Sequence, residues 1–236
     1  MKNLILLLFI PLVSFGQTEE VIKYYPNGLV ERKANYVDGK LHGEEIWYYK
    51  NGVIRGKRNY VDGVQQGEEI YYYKNGVISV KYNYVDDVQT GEQINYSDSG
   101  AIIAKRNFLN NMAHGKWTRY YESGAVEYKE NYVDGKLQGE KIGYYESGAV
   151  SSKANFVDNK RHGDWIKYYE SGAVESKGNF VDDKNHGKEI TYYESGAIKT
   201  EINLVDGKPH GKEITYYESG EIQNKTKWKD GMIIKE

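Results

Sequence analysis

The sequence predicts an all-β protein, an elongated and twisted antiparallel meander of about nine β-hairpin repeats of 24 residues each. Three observations predict this open, solenoid-like sheet. The heptapeptide YYESGAV recurs at a spacing of 24 residues, apolar and polar residues alternate with a period of two, and a glycine or an Asp-Gly pair interrupts the chain about every ten residues. Alternation with this period is typical of strands, and the interruptions predict the turns between them.

Each repeat begins at a tyrosine, and the spacing never slips. The nine first residues are Tyr24, Tyr48, Tyr72, Tyr96, Tyr120, Tyr144, Tyr168, Tyr192 and Tyr216. The fifth position of a repeat is always glycine, and the seventh is always valine or isoleucine. Such self-similarity is typical of an array in which each unit packs on its neighbours. The sequence therefore predicts a single repeat array over residues 17–236, with two strands in each repeat.

The first connection of each repeat is predicted to be a tight hairpin turn. In the repeat that starts at Tyr120, Gly124 takes the left-handed position, and Tyr120 lies opposite Val126. The same register places Lys57 opposite Glu45. The second connection, residues 134–139, is predicted to be a slightly longer turn. Counting by twos places one set of side chains on an apolar face, namely Ile46, Tyr48, Ile54 and Tyr60, and a second set on the other face, namely Glu45, Trp47, Tyr49, Lys57 and Asn59.

One motif of the repeat is similar to that of a known family. The pattern G-E-x-I-x-Y-Y-x-N-G followed by Y-V-D-G-K-x-x-G resembles the MORN repeat in its bacterial variant form. Its carriers are Gly43, Tyr48, Tyr49, Gly52, Tyr60, Asp62, Gly63 and Gly67, with their counterparts across residues 20–236. The resemblance implies a sheet of hairpins that acts as a scaffold or protein-binding module, and contact with phospholipids has been proposed for such arrays. Many bacterial variants carry the label YwqK-type antitoxin, so an antitoxin-like role is one alternative.

Residues 1–16 are predicted to be a secretory signal. Lys2 supplies a positive charge, residues 4–13 are apolar, and small residues at Ser14 and Gly16 predict cleavage after Gly16. The apolar stretch is far shorter than the roughly 20 residues that span a bilayer. We therefore expect an exported protein without a transmembrane span, located in the periplasm or outside the cell.

Composition removes several classes of function. The chain has no cysteine, which excludes disulfides, thiolate metal sites and cysteine nucleophiles. Its 34 acidic and 32 basic residues leave a net charge of -2, so no basic excess exists to attract nucleic acid.

No catalytic, cofactor-binding or metal-binding residue is predicted, and we expect that the protein is not an enzyme. The five histidines occupy the same position in different repeats, namely His42, His114, His162, His186 and His210. Equivalent residues of neighbouring hairpins lie about 9.6 Å apart, two strand spacings, whereas a zinc ion needs nitrogen atoms at about 2.0–2.1 Å. The aspartates likewise fall at turns, where their side chains bond to local backbone.

The second tyrosine of each repeat is the predicted interaction face, together with the repeat at residues 96–119, which departs from the pattern. The residues concerned are Tyr49, Tyr73, Tyr121, Tyr145, Tyr169, Tyr193, Tyr217 and Trp117. The leading hypothesis is an exported, non-catalytic scaffold that binds another protein or an envelope component. The alternative is a cell-wall or glycan-binding module, because aromatic columns can stack on sugars. The four tryptophans, however, are scattered among different positions of the repeat.

Overall fold

The structure is a computed structural model that describes residues 17–234. Over this range the chain forms one open antiparallel sheet of 23 strands and no helix, which confirms the predicted all-β meander of hairpins. The predicted signal at residues 1–16 lies outside the described residues. The strands are β1 Thr18–Tyr24, β2 Val30–Val37, β3 Lys40–Tyr48, β4 Ile54–Val61, β5 Val64–Tyr72, β6 Ile78–Val85, β7 Val88–Gln89, β8 Gly91–Tyr96, β9 Ile102–Leu109, β10 Met112–Ala113, β11 Gly115–Tyr120, β12 Val126–Val133, β13 Lys136–Leu137, β14 Gly139–Tyr144, β15 Val150–Val157, β16 Lys160–Tyr168, β17 Val174–Val181, β18 Lys184–Asn185, β19 Gly187–Tyr192, β20 Ile198–Val205, β21 Lys208–Tyr216, β22 Ile222–Lys229 and β23 Met232–Ile233.

The first turn of each repeat has the predicted register. Tyr120 pairs with Val126, and Gly124 adopts a positive φ of 87°. The turn closes through two backbone bonds, in which the N–H of Gly124 donates to Tyr121 at 3.0 Å and the N–H of Tyr121 donates to Ala125 at 2.8 Å. An aromatic residue opposite a β-branched one stabilises such a pair by roughly 0.2–1 kcal/mol.

The second connection is tighter than the sequence predicts. Val133 pairs with Lys136, so only Asp134 and Gly135 form the turn, with φ values of 49° and 78°. Positive φ at both central residues is the requirement of a type I′ hairpin, which Asp and Gly meet at low cost. The predicted longer turn is therefore a two-residue turn, followed by a separate irregularity at the next glycine of the repeat.

That irregularity explains why the strands outnumber two per repeat. The second strand is split in four repeats, and the break falls at Thr90, His114, Gln138 and His186. The N–H of each of these residues donates to the carbonyl of the asparagine at position 12 of the repeat, at 2.8–2.9 Å. The glycine that follows has positive φ, so the chain bulges there and then returns to the ladder.

A bulge after each first turn changes which face the following residues occupy. Trp47 pairs with Gly56, but the next residue, Tyr48, pairs with Ile54. Arg55 is therefore an extra residue on the second strand. Because the side-chain period is two, one inserted residue exchanges the faces of everything that follows it.

Three predicted placements are wrong for this reason. Lys57 pairs with Ile46 and Asn59 with Glu44, so both lie on the face of Ile46, and Arg58, not Lys57, pairs with Glu45. Tyr60 lies two residues beyond Arg58 and so shares the face of Glu45. Counting by twos straight through the bulge puts Tyr60 with Ile46 instead.

The corrected faces differ in how strictly they repeat. We call the face of Ile46 and Lys57 the constant face. Isoleucine recurs at the position of Ile46 in every repeat except at Thr118, and lysine recurs at the position of Lys57 except at Glu201. We call the face of Glu45 and Arg58 the variable face. At the Glu45 position the repeats carry Glu45, Glu69, Gln93, Trp117, Lys141, Trp165, Glu189 and Glu213. At the Arg58 position they carry Ala34, Arg58, Tyr82, Arg106, Glu130, Ala154, Gly178, Ile202 and Thr226.

The best-buried side chains lie almost entirely on the variable face. They are Ala34, Glu45, Tyr60, Gln65, Glu69, Gln93, Ala104, Glu130, Leu137, Ser176, Phe180 and Leu204. The exception among the described residues is Ile70, which is buried on the constant face. A single sheet layer has no second layer to pack on, so its core consists of long and aromatic side chains that cover one another along one face.

Candidate interaction face

At the N-terminal end of the variable face, a buried carboxylate is held between two arginines. Glu45 is only 2% exposed, and it forms ion pairs with Arg32 and with Arg58, the latter at 3.0 Å. The guanidinium of Arg58 also lies 4.4 Å from the centre of the Trp47 ring. A charge this deeply buried is strongly destabilising when it has no partner, and here both carboxylate oxygens have a cation.

The next repeat continues this cluster with tyrosines. The hydroxyl of Tyr71 donates to Glu69 at 2.8 Å, while Arg58 approaches the same carboxylate at 3.9 Å. Burial, together with the hydrogen bond to Glu69, raises the pKa of Tyr71 to about 12. Tyr71 meets Tyr82 of the following strand edge to face, with ring centres 6.2 Å apart. Aromatic and ionic contacts thus link neighbouring repeats on this face.

Trp117, a predicted interaction residue, is the centre of an aromatic cluster. It belongs to the repeat at residues 96–119, which departs from the pattern and which we call the deviant repeat. Its ring lies 5.7 Å from Phe108 and 4.2 Å from Tyr132, and Arg106 covers it at 5.1 Å. Its indole N–H donates to the carbonyl of Asn107 at 3.1 Å. The tryptophan is half-buried, so it both packs on its neighbours and presents ring surface.

A second buried ion pair adjoins this cluster. Lys141 lies 2.7 Å from Glu130, and its ammonium group is 4.0 Å from the centre of the Tyr128 ring. Burial, with the charge of Glu130, raises the pKa of Tyr132 to about 12. Each buried acid in this half of the sheet therefore has a basic side chain beside it.

The C-terminal part of the variable face has a different composition. Trp165 lies over Gly178 and packs against Phe180 at 5.8 Å. Glu189 accepts a bond from Asn185 at 2.9 Å, and no cation lies within 4 Å of it among the described residues. Burial raises the pKa of this carboxyl.

All four tryptophans lie on the variable face, although their positions in the repeat differ. They are Trp47, Trp117, Trp165 and Trp228, and each is half-buried. The sequence suggested scattered rings, because positions 13, 22 and 24 of a repeat look unrelated when counted along the chain. The bulges and turns bring these positions to one face. Counting side chains by twos from each bulge, instead of along the whole repeat, places the four tryptophans on one face.

The predicted second-position tyrosines have a role within the sheet. Six of these tyrosines donate a hydroxyl hydrogen bond of 2.5–2.8 Å to the carbonyl of the first tyrosine of the next repeat, and Tyr25, which was not predicted, forms the same bond. The six are Tyr49, Tyr73, Tyr121, Tyr145, Tyr169 and Tyr193. We call these bonds the tyrosine clasps. Tyr217 forms no such bond among the described residues and is 51% exposed. The rings remain half-buried at the row of first turns, and their role as an interaction face stays a prediction.

The histidines lie beside the second turns. Four of them, His42, His114, His186 and His210, place Nδ1 3.3–4.0 Å from the aspartate of the following repeat. Residues 17–234 contain no group of three or more histidine or acidic side chains able to hold a metal ion. The described residues also form no helix that is both long and apolar enough to cross a membrane.

A single open sheet of 24-residue hairpins, joined from repeat to repeat by tyrosine clasps, defines a β-hairpin repeat protein. The family model described as MORN repeat variant matches residues 41–62, 65–86, 113–134, 137–158, 161–182, 185–206 and 209–230. These matches cover more than half of the chain, which therefore belongs to this family, as the sequence motif suggests. The unmatched interval between 86 and 113 contains most of the deviant repeat.

Other comparisons add little. No curated protein is significantly similar to the chain. The crystal structure TcdB2-TccC3-Cdc42 is 10% identical over 89% of this chain and 13% of its own, with a TM-score of 0.23. The crystal structure TcdB2-TccC3-TEV is 12% identical over 88% of this chain and 15% of its own, with a TM-score of 0.22. The chain thus spans less than a sixth of either protein.

Proposed function

We propose that the protein is an exported, non-catalytic scaffold that binds another protein or an envelope component through the variable face. One observation carries the proposal: the isoleucine and lysine positions of the constant face and the glycines at positions 5 and 20 recur with few exceptions, whereas the Glu45 and Arg58 positions of the variable face change from repeat to repeat. A framework needs only a repeated pattern, because each unit makes the same contacts with its neighbours. Variation on one face gives each segment of the sheet a different surface.

The residue types on that face support protein binding. Tryptophan, tyrosine and arginine dominate the energetics of protein interfaces, because they combine large contact area with polar groups. The cluster of Trp47, Arg58 and Tyr71 and the cluster around Trp117 have this composition. The side chains hold one another through ion pairs and ring contacts, so little conformational freedom is lost when a partner binds.

Export is part of the proposal and is supported by the pattern of residues 1–16. Its direct test is the N-terminus of the protein recovered from cell fractions. We expect a chain that begins at Gln17 in the periplasmic or extracellular fraction. A chain that keeps Met1 and stays in the cytoplasmic fraction would contradict export without affecting the proposal for the variable face.

The binding proposal is tested by affinity capture from an envelope extract with two matched variants. One variant carries Trp47→Ala and Trp165→Ala on the variable face, and the other carries Ile142→Ala and Ile166→Ala on the constant face. We expect the first to lose the captured partner and the second to retain it, with circular dichroism showing that both are folded. If both variants lose the partner equally, or if both retain it, the partner does not bind through the variable face.

A glycan-binding function is the second candidate, and the placement of all four tryptophans on one face favours it. Rings on a shared face can stack successive sugars. The measurement is binding of the purified protein to peptidoglycan fragments, for the wild type and for the Trp47→Ala, Trp165→Ala variant. Saccharide binding that depends on these rings, without protein capture, would replace the first proposal. Tyr121→Ala and Tyr145→Ala test in the same assay whether the second-position tyrosines take part.

A further inference from the structure

The row of first turns has opposite charges at its two ends. The third position of the repeat, at the tip of each turn, is lysine at Lys50 and Lys74. In the last five repeats it is glutamate, at Glu122, Glu146, Glu170, Glu194 and Glu218. All seven side chains are exposed. The row therefore changes from basic to acidic along the sheet, although the net charge of the chain is close to zero.

The basic end contains a cavity of about 340 Å³ lined by Tyr25, Tyr49, Lys50, Asn51, Arg55 and Lys74. Its lining contains three cations and no acid. None of the three lies within 4 Å of a carboxylate among the described residues, whereas the nearby Lys57 and Arg58 are paired with acids on the sheet faces. Three unpaired cations at one recess attract oxyanions, and the carboxylates of the acidic end have the matching charge.

The acidic end is also unpaired. None of its five turn glutamates lies within 4 Å of a basic group in the part of the chain that the structure describes, although other glutamates of the same repeats, such as Glu127 and Glu175, do form ion pairs. Like charges repeated along one edge repel one another, and an external cation relieves that repulsion.

The two ends also have the same spacing. Successive turns of the row are two strands apart, about 9.6 Å, because both belong to the same 24-residue period. The spacing between two lysines of one chain therefore matches the spacing between two consecutive glutamates of another chain. Net charge or composition alone does not provide this match of spacing.

We propose that the turn rows of two copies of this chain dock antiparallel, with Lys50 and Lys74 of one copy against Glu146 and Glu122 of the second. The twofold symmetry repeats these contacts, which gives four pairs of opposite charge. The twofold axis passes between the Asp98 residues of the two copies, which form the one contact between like charges. Arg55 and the two tyrosine rings of the cavity surround the incoming carboxylate. This contact uses the turn row and leaves the variable face free, so it is independent of the function proposed above.

Exposed ion pairs are individually weak and are screened by salt, so the association is expected to be weak and salt-dependent. The test is sedimentation velocity of the purified protein over a range of concentrations. At about 10 mM salt, where the screening length is about 30 Å, we expect the sedimentation coefficient to rise with concentration. At about 1 M salt, where that length is about 3 Å, the rise should disappear.

Charge reversal identifies the surface. Lys50→Glu with Lys74→Glu, or Glu122→Lys with Glu146→Lys, should each lower the association constant by at least about tenfold. An equimolar mixture of these two variants should associate again. The matched control is Glu194→Lys with Glu218→Lys, which makes the same change at equivalent turns outside the proposed contact and should keep the wild-type behaviour. Absence of concentration dependence at low salt, failure of the mixture to associate, or an equal loss in the control would each overturn the proposal.

Discussion

The tyrosine clasps show how a single side chain can join two repeats. The hydroxyl of Tyr121 donates to the carbonyl of Tyr144 at 2.8 Å, and the same bond recurs wherever the second position is tyrosine and a following repeat is described. The recurrence of tyrosine at this position therefore has a structural cause. A partner is not needed to explain it.

Tyr121→Phe should lower the free energy of unfolding by about 0.5–1.5 kcal/mol, the net contribution of one hydrogen bond of this kind. The measurement is equilibrium unfolding in urea. Tyr217→Phe is the matched control, because the Tyr217 hydroxyl makes no clasp among the described residues. The control should match the wild type, and an equal loss in both variants would contradict a role for the clasp.

The charged side chain of Glu189 destabilises the folded sheet. Burial raises the pKa of this carboxyl, so the folded state disfavours its charged form. The cost is present when the pH is above the raised pKa, and it vanishes as the pH falls below the ordinary pKa of a glutamate. We therefore expect Glu189→Gln to stabilise the protein at neutral pH, with a gain that shrinks towards zero in acid.

Thermal unfolding across this pH range measures the effect. Glu130→Gln provides the opposite comparison, because Glu130 is paired with Lys141 at 2.7 Å and its neutralisation leaves a cation without its partner. That variant should be destabilised at neutral pH. A Glu189→Gln variant whose stability falls at neutral pH would show that the carboxylate has a favourable partner in solution.

At the scale of the structural element, the deviant repeat has one defect that the sequence makes visible. Ser97 stands where the other repeats have the second tyrosine, so no clasp reaches Tyr120. The serine hydroxyl bonds instead within its own turn, accepting from the N–H of Ala101 at 3.1 Å. The contact between this repeat and the next therefore lacks one hydrogen bond that its counterparts have.

Ser97→Tyr should restore the clasp and stabilise the protein by about 0.5–1.5 kcal/mol. The matched control is Ser97→Phe, which adds the ring without the hydroxyl and should give a smaller gain. Urea unfolding of the three proteins separates the hydrogen bond from ring packing. Equal stability of all three would show that the joint between these two repeats needs no clasp.

The elements also show where prediction from sequence succeeds. The repeat length, the first turn and the pairing of Tyr120 with Val126 follow from local signals, namely a fixed spacing and a glycine that takes positive φ. The face assignment fails because the bulge at Arg55 depends on pairing between strands, and no single residue type marks it. One inserted residue then exchanges the faces, which also conceals the shared face of the tryptophans.

At the scale of the whole molecule, the sheet is a one-dimensional array. Strands contact mainly their neighbours in sequence, and the buried side chains form a continuous layer along the variable face. Stability in such an array is approximately the sum of repeat and interface contributions, so we expect that no single repeat is indispensable to the fold. Register is different, because every later strand inherits a shift made earlier in the chain.

Deletion of one complete period tests this property. Removal of residues 144–167 joins Gly143 to Tyr168, which begins an identical heptapeptide, so the ladder and both faces continue unchanged. We expect a folded protein with the same circular dichroism signal per residue and a modestly lower midpoint of unfolding. Removal of residues 145–167, one residue fewer, duplicates a tyrosine and exchanges the two faces of the joining strand. That variant should unfold at much lower temperature or aggregate, and equal stability of the two deletions would show that register does not determine how this sheet buries its core.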